Sequence, residues 1–187
     1  GKTFWGLTSG QWGLQTGAGS LGPYNAGVPK TGQTTSYAAG DDGALQKGVA
    51  WPNPRFTDNL DGTVTDNLTG LIWLKNANCF GYKIWATALN DANTLVSGAC
   101  GLSDGSVAGD WRLPNVRELQ SLIDYGRFSP ALPNGHPFTG VQSDNYWTST
   151  TIAGVTSNAW FVVLSTGNVA SSGKAGSAFV WPVRGGQ

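Results

Sequence analysis

The sequence predicts an α+β domain of two helices, short antiparallel strands and many loops over residues 31–187, preceded by a Gly/aromatic arm over residues 1–30. Three observations lead there. Hydrophobic residues make up 40% of the chain and include 9 Trp, enough apolar side chain for a packed core. The 28 Gly and the Ser/Thr/Asn-rich C-terminal third suit tight turns between short strands better than a helix bundle. Two stretches with helical periodicity precede a run of strand-like segments, which is an α+β order rather than an alternating one. At roughly 150 residues per domain, 187 residues are one domain with an appendage.

The arm comes first. Residues 1–30 show neither a helical nor an alternating period, yet they carry Phe4, Trp5, Leu7, Trp12 and Leu14, followed by Leu21 and Tyr24. Such side chains are costly to leave in water. The arm is therefore expected either to fold back on its own domain or to dock on a neighbouring copy, giving a homo-oligomer.

From Arg55 to Lys75 two turn signals, Asp61-Gly62 and Thr69-Gly70, divide a small antiparallel meander. Asp58, Asp61 and Asp66 invite a calcium reading, but Leu60 interrupts the alternate oxygen ligands that an EF-hand loop needs, so the three read as turn residues. Residues 84–96 place Trp85, Ala88, Leu89, Ala92, Leu95 and Val96 on one helical stripe. A second helix starts after Pro114 with Asn115 and Glu118 spaced as a capping box, carries Leu119, Leu122 and Ile123 on its apolar face, and stops at Tyr125-Gly126. From Tyr146 onward four short strands are expected, the last running from Ala178 through Arg184.

Cys79 and Cys100 flank the first of these helices, an arrangement in which a disulfide clamps a helix and its loops in an oxidising compartment; two reduced buried thiols are the alternative. A chain that starts at Gly1 and holds no Met is expected to be a processed, secreted form.

Charge excludes one large class of function. With 11 Lys and Arg against 11 Asp and Glu, no net field steers the chain toward a nucleic acid. No run of 18 apolar residues is present, so no membrane span is expected. The single His136 sits in a turn before Pro137, and no Gly-x-Ser-x-Gly elbow provides a nucleophile. Asp110, Glu118 and Asp124 stand where a cap, a capping box and a helix end would use them. Gly17, Gly19 and Gly22 have dinucleotide-loop spacing but neither a preceding strand nor a following helix. The chain thus reads as a non-enzyme without cofactor or metal. What remains is surface. Strand alternation keeps Trp160, Val162 and Leu164 on one face and sends Ile152, Val155, Asn158, Phe161, Val163, Ser165, Asn168, Ala170 and Ser172 to the other face or into turns.

Four ordered motifs carry a resemblance: residues 55–73, Trp-Arg-Leu-Pro-Asn-Val-Arg-Glu-Leu (111–119), Tyr-Trp-Thr-Ser-Thr (146–150) and Val-Trp-Pro-Val-Arg-Gly-Gly (180–186). Together they resemble the Legionella collagen-like protein C-terminal domain family. That family is similar to the C-type-lectin-like fold shared with formylglycine-generating enzymes, and its members are mostly secreted or surface-anchored bacterial proteins. The resemblance implies a binding module at the bacterial surface with a protein or glycan ligand. A polyanion receptor wants a basic patch, and between residues 143 and 181 the only Lys or Arg is Lys174, so glycosaminoglycan binding is not carried over. The enzyme branch uses a reactive cysteine pair; Cys79 and Cys100 stand in the family's own motifs instead, which implies a structural bridge.

The tail is also similar to variable proteins of diversity-generating retroelements, in which a fixed frame carries diversified positions. Here the frame would be Tyr146, Trp147, Ser149, Trp160, Val162, Leu164, Gly167, Val169 and residues 180–184. The diversified, ligand-binding positions would be Asn145, Ile152, Val155, Asn158, Phe161, Val163, Ser165, Asn168, Ala170, Ser172 and Phe179. Related tails are rich in Tyr, whereas these positions are mostly small or aliphatic. Two functions are expected from this reading: a secreted recognition or adhesion module that displays its last strands, or a structural subunit of an extracellular filament with the arm docked on the next copy.

Overall fold

The computed structural model describes residues 27–185. The arm residues Phe4, Trp5, Leu7, Trp12 and Leu14 lie outside the described residues. Two antiparallel-rich sheets and three short helices, α1 (Asp42–Leu45), α2 (Trp85–Asn93) and α3 (Val116–Gln120), make an α+β domain. Among the described residues no helix is long and apolar enough to cross a membrane. The body reaches back further than residue 31, because the Lys30 N–H donates to Val49 O and the Val49 N–H to Val28 O.

The expected meander forms as β1 (Phe56–Asp58), β2 (Thr63–Asp66) and β3 (Ile72–Leu74), and its turns follow from local chemistry. The Asp61 carboxylate accepts from the Thr63 N–H and hydroxyl, and Asp58 accepts from the Leu60 N–H. Gly62, at φ +86°, lies so close to the Gly101 carbonyl that a Cβ would collide with it. That contact seats the loop after α2 on the hairpin. Asp66 goes beyond turn chemistry. It pairs with Arg55 through Nε–Oδ1 at 2.8 Å and Nη2–Oδ2 at 3.0 Å, and both side chains are buried.

Both helices are shorter than their sequence stripes. α2 ends at Asn93, where the Thr94 hydroxyl donates to Asn90 O, and Val96 falls beyond it, partly exposed. Ala88 and Ala92 supply its buried face. α3 begins with the expected capping box: Asn115 accepts from the Arg117 and Glu118 N–H groups while Glu118 accepts from the Asn115 N–H. It stops at Gln120 rather than at Tyr125, because Leu122 and Ile123 bond three residues back and the Asp124 N–H turns away to Ala131 O.

The C-terminal strands do not form the simple meander expected. β5 (Asn145–Ile152), β6 (Val155–Val163) and β7 (Val169–Gly173) are consecutive neighbours, but the next strand returns to the far side of β5. The segment read as one last strand is two: β8 (Ser177–Phe179) inserts between β5 and β4 (Tyr82–Ile84), and β9 (Val183–Arg184) joins β3 in the other sheet. Between them Pro182, which has no N–H to give a ladder, accepts from Leu74 N at 3.1 Å. Trp181 fills the space between the sheets, its ring centroid 4.8 Å from Phe138, 5.6 Å from Trp73 and 5.6 Å from Tyr146.

Cys79 and Cys100 are joined, with Cα atoms 5.7 Å apart and α2 between them. Closing a loop of 21 residues is worth about 3 kcal/mol in the chain-entropy account. Changing both cysteines to Ser is therefore expected to lower unfolding stability by about 3 kcal/mol, measured by urea denaturation.

Candidate functional site

Strand pairing decides which of the candidate residues meet. Opposite each other in register stand Asn145 and Val163, Trp147 and Phe161, Phe161 and Ala170, and Ala159 and Ser172. Paired residues share a face, so Asn145, Phe161, Val163, Ala170 and Ser172 gather on one face of the sheet beside Trp147. α2 covers only part of that face: its Ala88 and Ala92 pack with Trp147, Ala159 and Ala178, and Phe161 is half-buried at the margin. The Phe161 ring stands edge-on to Trp147 at 6.1 Å. Ser172 is exposed and Ala170 and Val163 half-buried, on the side of the sheet that ends in the edge strand β7.

The other candidates are distributed elsewhere. Ile152 and Val155 pair at the tip of the β5–β6 hairpin, with Val155 half in solvent. Ser165 and Asn168 belong to the turn between β6 and β7. Asn158, expected on the other face or in a turn, instead stands on the Trp160 face, two residues away within β6 and paired with Gly173. Phe179 requires a correction. It is 7% exposed, and its ring lies between Tyr82 at 4.1 Å and Tyr146 at 5.3 Å, so it packs the core and offers no ring to a ligand. The reason is the insertion of β8 beside β5, which pairs Phe179 with Tyr146.

A bulge aims this sheet. Between Trp147 and Thr151 the register slips, and the freed Ser149 N–H donates to Pro114 O while the Thr150 hydroxyl accepts from Val116 N. The strand thereby holds the start of α3, and Trp160 comes to line a trough with Val116, Arg117, Gln120 and Val169. The sequence marks the bulge only faintly, as the Thr-Ser-Thr-Thr run at 148–151 whose hydroxyls can replace ladder bonds.

The segment that holds the candidate positions carries almost no charge. Asp144 and Lys174 are the charged residues between 143 and 181. Both are tied down: Lys174 lies 4.0 Å over the Trp85 ring and donates to the Thr151 hydroxyl at 2.8 Å, and Asp144 accepts from the Tyr82 hydroxyl. That hydrogen bond, with partial burial, raises the Tyr82 pKa. Burial pushes Tyr146 up to about 12. Its proton stays on in the folded state at a pH where the unfolded chain, with an ordinary tyrosine near 10.0, releases it. The stability this contributes is complete below pH 10 and is lost as pH rises toward 12. Unfolding midpoints taken at pH 9 and pH 11 should accordingly differ less in Tyr146→Phe than in the native chain.

The carboxylates weighed for catalysis make hydrogen bonds within caps and turns. Burial pushes the Glu118 carboxyl up, but the Arg112 guanidinium and the Asn115 N–H outweigh it and hold the pKa below its ordinary value. Asp110 accepts from the Val107 N–H, and Asp124, raised by burial, accepts from Gly126 N. His136, lowered by burial, lines a cleft of about 370 Å³ with Arg127, Phe128 and Asn134. Sequence reasoning passed over that neighbourhood. Phe128 and Tyr37 are more than four-fifths exposed and flank a smaller depression, and only the isolation of Phe128 between Arg127 and Ser129-Pro130 could have drawn attention to it.

Fold and site together define a class: a sheet-rich α+β domain, clamped by one disulfide, that presents a partly open sheet face next to its edge strand. The Lcl C-terminal domain model matches residues 62–184, and the chain belongs to that family. No curated protein matches the chain.

Proposed function

We propose that this domain is an exported, non-enzymatic recognition or adhesion module of the C-type-lectin-like type, which binds a protein or glycan through its C-terminal strands. The observation that carries the reading is the gathering of Asn145, Phe161, Val163, Ala170 and Ser172 on the part of the sheet that α2 leaves open. Side chains there stand on a backbone held by five β6–β7 register pairs and by the bulge on α3, so they can vary without moving the frame. Trp147 and Phe161 supply an aromatic anchor, and Asn and Ser supply hydrogen bonds that adapt to different partners.

Family membership supports the adhesion reading, and the Cys79–Cys100 bridge supports export into an oxidising compartment. Both cations of this sheet have partners, Lys174 over the Trp85 ring and Lys83 at 3.9 Å from Asp91, which favours neutral glycans or protein surfaces over polyanions.

The test is binding of the full chain to an array of neutral, sialylated and sulfated glycans and to immobilised collagen, fibronectin and laminin. Saturable binding to one of these classes is expected, weakened at least about tenfold by Phe161→Ser with Ala170→Glu, a loss of about 1.4 kcal/mol. Binding that survives both substitutions, or no binding to any of these probes, overturns the reading.

A further inference from the structure

A groove crosses the outer side of α3. At one end Val28, Pro29, Trp51, Leu68, Ile123 and Tyr125 line a trough of about 280 Å³. At the other, Trp160 and Val169 line one of about 390 Å³, and the two share Arg117 and Gln120. Apolar side chains dominate the first trough, where Val28 is 67% and Tyr125 42% exposed.

The occupant is indicated by where the chain enters the domain. Residues 28–30 are pinned at the groove's rim by their hydrogen bonds with Val49 and by the Trp51 indole N–H, which donates to Lys30 O at 2.8 Å. The 26 residues upstream thus start beside the first trough. They contain Leu21 and Tyr24 in addition to the five apolar residues of the arm, and their only charged side chain is Lys2. At about 3.3 Å per residue, Tyr24 can reach roughly 10 Å and Leu21 roughly 20 Å from Gly27, which spans the Trp51 end. Trp12, roughly 50 Å of chain away, can reach Trp160. A segment tethered at the rim has a millimolar effective concentration for the groove, which a second copy reaches only by dense packing.

We propose that residues 1–26 dock in their own chain's groove over α3, with Leu21 and Tyr24 seated at the Trp51 end. The arm is then a strap that covers apolar surface the rest of the domain leaves open. It lies on the α3 side of the sheet, opposite the face proposed for ligands, so the strap and the recognition reading stand or fall separately.

The experiment uses the full chain with Tyr24→p-benzoylphenylalanine, irradiated at several concentrations and mapped by mass spectrometry. Cross-links within one chain to peptides spanning 48–54 or 116–125 are expected, at a yield independent of concentration. Leu68→Lys, or Val169→Lys at the far end, should cut that yield at least fivefold while far-ultraviolet circular dichroism stays native. Cross-links chiefly between chains, rising with concentration, overturn the proposal and make a second copy the occupant. Cross-links scattered over the surface, or none, overturn it outright.

Discussion

Asp66→Ala is expected to destabilise the domain by about 3–5 kcal/mol, read as a fall in the urea midpoint with an unchanged m-value. The magnitude follows from what the substitution strands. Arg55 and Asp66 have side chains 6% and 0% exposed, and the guanidinium is further enclosed by Trp51 at 4.7 Å and Phe56 at 4.9 Å. Removing the carboxylate leaves a buried cation with one remaining acceptor, Ser121 O at 2.8 Å. It also releases the Leu68 N–H and the Thr69 hydroxyl that Asp66 receives in the β2–β3 turn. The double variant Arg55→Met with Asp66→Leu should recover part of the loss, since an apolar pair has no charge to strand, but not the part owed to the turn. A loss below about 1 kcal/mol for Asp66→Ala would mean that the pair is open to water, as surface pairs are.

Trp181→Ala is expected to cost about 3–5 kcal/mol and to loosen both sheets at once. The indole is fully buried, donates to Leu74 O at 2.8 Å and stands edge-on to Trp73 and Phe138. It occupies the three-residue passage in which the chain leaves β8 in one sheet and enters β9 in the other. Hydrogen exchange should therefore accelerate in β3 and in β5 together. Acceleration in β3 alone would show that the two sheets are stabilised independently, contrary to this packing.

Much of the secondary structure was legible from residues close in sequence. The Asp61-Gly62 and Thr69-Gly70 turns, the Asn115 capping box and the Ala88/Ala92 stripe each depend on interactions within about one turn or hairpin. Adjacent hydrogen-bonding groups announce such features. The disulfide was legible for a related reason, since both cysteines bracket a single helix. The C-terminal strands were legible as strands, but their order was not. Nothing local to Ser177–Phe179 indicates that β8 will lie between β4 and β5, and this placement buries Phe179.

The candidate site shows the same division. Alternation along β6 correctly separated Phe161 and Val163 from Trp160 and Val162, but Asn158, expected on the other face or in a turn, stands two residues from Trp160 within the strand and shares its face. Which face stays open could not be read from period. It depends on where α2 and α3 pack, and on a bulge at Thr148–Thr150 that exchanges ladder bonds for bonds to Pro114 and Val116. By itself the sequence determined the meander, two of the three helices with the Asn115 cap, the strand character of the C-terminal third, its near-absence of charge and the family, but neither α1 nor β4, nor the division of the last strand into β8 and β9. The tertiary structure alone decided that Asp66 is an ion-pair partner, that Phe179 is core, and that five of the proposed positions share one open face. The physical reason is range: capping, turns and periodicity are settled over a few residues, whereas burial and pairing between distant segments exist only once the whole chain has packed.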